Sequence, residues 1–135
     1  MTLTLRVLAP DQSVFDGPAD EVILPGTTGQ LGILTGHVSM LTALDSGVLR
    51  VREGSSWQSI ALTGGFAEVV ANEVTVLVNA AELGSTIDPA AARSEFEAAQ
   101  QAASALEGAE PSAEKLKAQQ ALARARARLQ ASKGA

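Results

Sequence analysis

Three arginines at alternate positions, Arg124, Arg126 and Arg128, each separated by an alanine and preceded by Lys115 and Lys117, are the densest chemical feature of this 135-residue sequence. A guanidinium presents a planar fork of donors that matches carboxylate or phosphate oxygens. On a helix, Lys117, Arg124 and Arg128 fall on one stripe at offsets of seven and four, while Arg126 points elsewhere. Nucleic acid is disfavoured as the partner because no aromatic residues interleave the basic ones and the rest of the chain is acidic. A membrane-surface helix needs bulky apolar residues opposite the charges, and here they are mainly alanine. An acidic protein surface remains, against the plainer reading of a solvated helix face.

Other chemistry is sparse. His37 is the sole histidine and stands in Gly36-His37-Val38-Ser39-Met40-Leu41, without the partners a catalytic base requires, so a structural or interface role is expected. The glycines of Pro25-Gly26-Thr27-Thr28-Gly29-Gln30-Leu31-Gly32 lack the Lys-Ser/Thr ending and following helix of a phosphate loop, and read as turns. Asp16, Asp20 and Glu21 read as solvated turn acids in preference to a cation site. There is no cysteine, so disulfides and thiolate metal sites are excluded. No metal or other cofactor is expected, and neither is an active site.

The charge that must be positioned is unevenly distributed. Residues 1–86 carry three basic and nine acidic side chains, residues 87–111 one and five, and residues 112–135 six and one. An acidic body with a basic tail implies a separate electrostatic partner for the tail. The N-terminus alternates polar and apolar residues and does not read as a signal peptide. No stretch approaches the roughly 20 apolar residues of a membrane span. Membrane association is therefore expected only through partners.

Up to about Glu82 the apolar residues recur with period two: Leu3, Leu5, Val7; Val22, Leu24; Ile60, Leu62; Val74, Val76, Val78. Turn chemistry punctuates these runs at Pro10-Asp11, Asp16-Gly17-Pro18, Pro25-Gly26, Asp45-Ser46-Gly47, Glu53 to Ser56 and Ala71-Asn72-Glu73. The pattern predicts an antiparallel β-sandwich or flattened barrel over 1–86. Gly64-Gly65 inside an apolar run predicts a bulge or a close backbone approach.

At Ile87 the period changes. Asp88 can cap a helix whose first residue is Pro89. Ala92, Phe96, Ala99, Ala103 and Leu106 then trace one apolar stripe. Gly108 and Pro111 end that helix, and Ser112 caps a second with the stripe Ala118, Leu122, Ala125, Leu129. An antiparallel helical hairpin over 87–135 follows, giving an α+β chain. Its alanine seam buries little area, so its packing is easily undone while helix propensity persists.

Taken together, these features resemble the epsilon subunit of F-type ATP synthases over essentially the whole chain. Gly29-Gln30-Leu31-Gly32-Ile33 and Gly36-His37-Val38-Ser39-Met40-Leu41-Thr42 are similar to the family signature G-x-LGI-x-x-GH-x-x-LLT. Leu62 to Val69 and Asn72 to Leu77 resemble the glycine-pair motif and the strand after it. The Arg-Ala-Arg-Ala-Arg ending looks most like cyanobacterial and chloroplast members.

The resemblance implies a non-catalytic central-stalk subunit whose sandwich binds the gamma subunit and the c-ring. Its helices would reach the alpha/beta catalytic hexamer and restrain hydrolysis. Gln30, Leu31 and Gly32 would form a ring-facing loop, with His37, Val38, Ser39, Met40, Leu41 and Thr42 near ring and gamma contacts. Members more often carry an acid where Gln30 stands, which here reduces a charged contact to a hydrogen bond. Arg124, Arg126 and Arg128 would meet an acidic loop of the beta subunit. The implied location is peripheral, on the cytoplasmic or stromal face of an energy-transducing membrane, thylakoid in preference to bacterial plasma membrane.

Some members bind ATP through Ile/Leu-Asp-x-x-Arg-Ala. The candidate nucleotide residues here are Asp88 and Arg93, but Arg93 lies five positions after the aspartate. The shift of two residues rotates it by about 200° around a helix, so ATP binding is not carried over. Without the resemblance, the tail also suits a free-standing sandwich module that docks an acidic partner or nucleic acid.

Overall fold

The computed structural model describes residues 2–133; Met1, Gly134 and Ala135 of the two segments lie outside the described residues. Eight strands come first: β1 Leu3–Ala9, β2 Gln12–Ala19, β3 Glu21–Gly26, β4 Gly29–Leu34, β5 Met40–Leu44, β6 Gly47–Glu53, β7 Ser56–Val70 and β8 Glu73–Leu83. A 3-10 turn at Gly84–Thr86 leads to helices α1 Pro89–Ala105 and α2 Ala113–Ser132. The strands form a sheet ordered β2-β1-β8-β7-β5-β3-β4, with β6 paired to both β3 and β7. It folds over on itself as a flattened sandwich, antiparallel except for the parallel β1–β8 pair.

Period two is what buries the core. Leu3, Leu5 and Val7 of β1, Val74 and Val76 of β8, and Ile60, Leu62 and Val69 of β7 all point inward and are buried with Val22, Leu24, Ile33 and Leu49. β7 is long enough to serve two partners. Its first half pairs with β6 from Ser56 to Leu62 and its second half with β5 from Gly65 to Val69.

Two turn predictions are corrected. Asp16-Gly17-Pro18 lies inside β2, opposite Arg6, Leu5 and Thr4. β2 is an edge strand, where a proline without an N–H costs no ladder bond. Asp45-Ser46-Gly47 does not reverse the chain either. It interrupts one long strand, since β5 and β6 meet β7 in a single register from Met40↔Val69 to Glu53↔Ser56.

Gly64-Gly65 is the close approach, without a bulge, because the β7–β8 register runs through it unshifted. Gly65 has φ 133°, and a Cβ there would lie 2.1 Å from the Leu77 carbonyl oxygen. Only glycine fits such a position.

The helix ends follow their caps. The Asp88 carboxylate accepts from the Ala90 amide at 3.0 Å with Pro89 in the first turn, and the Ser112 hydroxyl accepts from the Lys115 amide at 3.1 Å. α1 packs chiefly on α2, whereas α2 also lies against β6, β7 and the 3-10 turn. A second buried cluster holds this arrangement: Ala61, Ile87, Ala92, Ala127, Leu129 and Ala131, with Val48 and Phe96 at its margin. Each buried alanine methyl contributes only ~0.8 kcal/mol, against about 1.5–3 kcal/mol for a buried leucine or valine. The sandwich core is built of the larger residues, so the helices are the more easily released part.

Candidate functional site

The predicted rotor-facing residues occupy one stretch of chain running through β4, a connecting loop and β5. Gln30, Leu31 and Gly32 are not in a loop. They lie in edge strand β4, opposite Pro25, Leu24 and Ile23 of β3. The tight reversal is over at Gly29, and the alternation of Leu31 and Ile33 toward the core requires extended backbone from there.

The loop between β4 and β5 presents the apolar residues. Val38 is 74% and Leu41 67% exposed, and Leu34 and Val70 are exposed as well. Leu41 pairs across the sheet with Glu68, two positions from Val70 on the same face. Exposed apolar side chains of this size are available to a contact outside the chain. Ser39 is exposed next to them, and Met40 and Thr42 are half-buried in β5.

His37 shapes this loop. Its ring Nδ1 donates to the Val38 carbonyl at 2.8 Å and its amide donates to the Leu34 carbonyl at 3.2 Å. A carbonyl can only accept, so the proton sits on Nδ1. Asn72 holds the loop from the other side. Its side-chain oxygen accepts from the Gly36 amide at 2.7 Å, and its carbonyl accepts from Thr4 at 2.9 Å. Sequence reasoning placed Asn72 in a turn, where φ 65° indeed suits asparagine, but did not connect it to Gly36. The 36-residue separation leaves no local signal.

The acids considered for a cation site are apart and engaged. Asp16 approaches Arg6 at 4.0 Å, Asp20 accepts from the Gly54 amide at 2.7 Å, and Glu21 accepts from Arg52 at 3.3 Å. No group of His, Cys, Asp and Glu able to hold a metal occurs among the described residues. Asp88 is engaged in its cap, Arg93 is exposed on α1, and no ion pair joins the two among the described residues.

The arginine triplet divides. Arg124 and Arg126 are exposed and form no ion pair among the described residues. Arg128 is half-buried and turned inward. It donates to Glu82 of β8 through Nε at 2.8 Å and a terminal nitrogen at 3.3 Å, and its other terminal nitrogen donates to Glu95 of α1. Hydrogen bonding to Glu82 is the largest influence holding its pKa above the ordinary arginine value, with Glu95 adding to it against the opposing effect of burial. In this conformation Arg128 is thus engaged within the chain, whereas Arg124 and Arg126 are not. Cavities of about 400 Å³ and 330 Å³ flank the seam, the first lined by Thr63, Glu82, Glu95 and Arg124, the second by Trp57, Gly84 and Ser132.

A sandwich with exposed apolar side chains on one loop, carrying a docked two-helix appendage with a basic face, is the architecture these residues define. Residues 2–84 match the family model described as ATP synthase, Delta/Epsilon chain, beta-sandwich domain, and residues 85–133 match ATP synthase, Delta/Epsilon chain, long alpha-helix domain. The chain belongs to the ATP synthase delta/epsilon chain family, and its relatives are of cyanobacterial type. It is 70% identical over 135 residues to the ATP synthase epsilon chain of Synechococcus sp. strain CC9902, covering 100% of this chain and 99% of that one. To the ATP synthase epsilon chain of Prochlorococcus marinus strain MIT 9303 it is 66% identical, covering 98% of this chain and 100% of the other. Among solved structures, a chain of the Euglena gracilis mitochondrial ATP synthase shares the fold, with TM-score 0.79 at 22% identity over 97% of this chain and 81% of that one.

Proposed function

We propose that the chain is a non-catalytic central-stalk subunit of a rotary ATP synthase. Its sandwich, residues 1–86, joins the gamma subunit to the c-ring through the β4–β5 segment. Its hairpin, residues 87–135, restrains ATP hydrolysis when it leaves the sandwich and meets an acidic surface of the catalytic hexamer. The observation that carries this reading is the full-length match to cyanobacterial epsilon chains, and the exposed Val38–Leu41 patch and basic α2 face suit it. The complex would sit on a thylakoid or plasma membrane, with this subunit peripheral; no described helix is long and apolar enough to cross a bilayer.

The test is ATP hydrolysis by the reconstituted complex. Deleting residues 88–135 should raise hydrolysis while assembly and coupled synthesis persist. Replacing Arg124, Arg126 and Arg128 with alanine should weaken restraint more at low salt than at high salt, because exposed pairs are screened. Unchanged hydrolysis after the deletion would refute the inhibitory role.

A further inference from the structure

We infer that Arg128 is a latch with two exclusive engagements: clasped by Glu82 and Glu95 it holds the hairpin on the sandwich, and only when released can it serve an outside carboxylate. The identity of that outside partner, and nothing else in the inference, rests on the function proposed above.

The clasp is placed where it can control all three moving parts. Glu82 belongs to β8, Glu95 to α1 and Arg128 to α2, so one guanidinium ties the sandwich to both helices. Because α1 packs chiefly on α2, the Glu95–Arg128–Glu82 chain is its main polar tie to the strands. The two carboxylates offer the arginine what an acidic protein surface would offer. A ligand of that kind competes with Glu82 and Glu95 for the same donors, and opening and partner binding become linked.

The clasp is also weak enough to switch. The Arg128 side chain is 29% exposed, and Glu82 and Glu95 are 44% and 54% exposed, so solvent and salt screen both pairs. Two partly exposed pairs of this kind together alter an equilibrium by roughly two- to thirty-fold. That suffices to tip an arm seated on an alanine seam and leaves the sandwich untouched. Arg124 and Arg126, free of such pairing among the described residues, remain available in both states.

The experiment compares Glu82→Gln/Glu95→Gln with Arg128→Gln in the full-length chain; the glutamate changes nearly preserve volume, and the arginine change keeps an unbranched polar side chain. Hydrogen exchange is read on α2 and, as a folding control, on β1 and β8. Emission of Trp57, the sole tryptophan, provides a second readout because it lines the cavity that ends at Ser132. Both variants should lower α2 protection by roughly two- to thirty-fold with strand protection unchanged. High salt should move the unsubstituted chain the same way and leave the variants alone.

In the assembled complex the two variants should then diverge. Glu82→Gln/Glu95→Gln frees an intact arginine and deepens restraint of hydrolysis, whereas Arg128→Gln relieves it. Unaltered α2 protection in both variants overturns the latch. Opening in the isolated chain with no divergence in the complex retains the clasp but overturns its exclusivity with the outside carboxylate. Hydrolysis insensitive even to loss of residues 88–135 would instead sink the proposed function.

Discussion

Gly84→Ala tests whether the seat of α2 on the sandwich is steric. A Cβ at this position would stand 2.2 Å from the Ala131 carbonyl oxygen, 2.9 Å from the Ala131 carbonyl carbon and 2.9 Å from the Ser59 carbonyl oxygen. Gly84 is not among the residues with positive φ, so alanine brings no backbone strain and the collision is the whole perturbation. To restore ordinary contact the last turn of α2 must retreat by about 1 Å, and a gap of that size forfeits up to about half of each contact's dispersion energy. Ala127, Leu129 and Ala131 all lie in that seam and are buried. Overpacking of this kind costs about 1–3 kcal/mol, which shifts docking by roughly five- to 150-fold.

Hydrogen exchange should show α2 losing protection while β1 and β8 keep theirs, and the emission of Trp57 should change. Unlike loss of the Arg128 clasp, the effect should be the same at low and high salt, because no charge is involved. If α2 remains protected and Trp57 emission is unmoved, the close approach at Gly84 is not what seats the helix.

Gly65→Ala should destabilise the sandwich itself by about 3 kcal/mol or more, since its Cβ would meet the Leu77 oxygen at 2.1 Å and the Val78 Cα at 2.7 Å; denaturant unfolding monitored by circular dichroism measures this. Val38→Asp and Leu41→Lys should leave stability within about 0.5 kcal/mol, because both side chains are exposed and a lysine at 41 would face Glu68, yet they should abolish a one-to-one complex with gamma subunit in native mass spectrometry. Raising the pH should not release the clasp. Glu82 and Glu95 raise the folded-state pKa of Arg128, so its contribution is fully present below the ordinary arginine value and fades only as pH climbs through the raised one. Trp57 emission should therefore stay constant between about pH 7 and 10; a transition in that range would show that another group controls docking.

Several features were legible along the chain because their causes are local. Period-two burial at Leu3, Leu5 and Val7 and at Val74, Val76 and Val78 depends only on side-chain alternation. The capping roles of Asp88 and Ser112 depend on residues two and three positions away. The apolar stripe from Ala92 to Leu106 needs only the helical period. Turn chemistry was less secure: Asp16-Gly17-Pro18 has turn composition, but an edge strand tolerates it.

The sequence by itself thus determined the alternating burial of β1 and β8 and the caps of both helices, together with the motifs that identify the family. Tertiary structure alone decided where the arm rests and what its charges do. Arg128 meets Glu82 and Glu95 across 46 and 33 residues, and α2 approaches Gly84 closely enough to exclude a methyl group. Neither relation has a local period or spacing, because each depends on how a helix lies on a sheet. From sequence the three arginines looked equivalent; the docked hairpin separates them, turning Arg128 inward to its carboxylates and leaving Arg124 and Arg126 exposed.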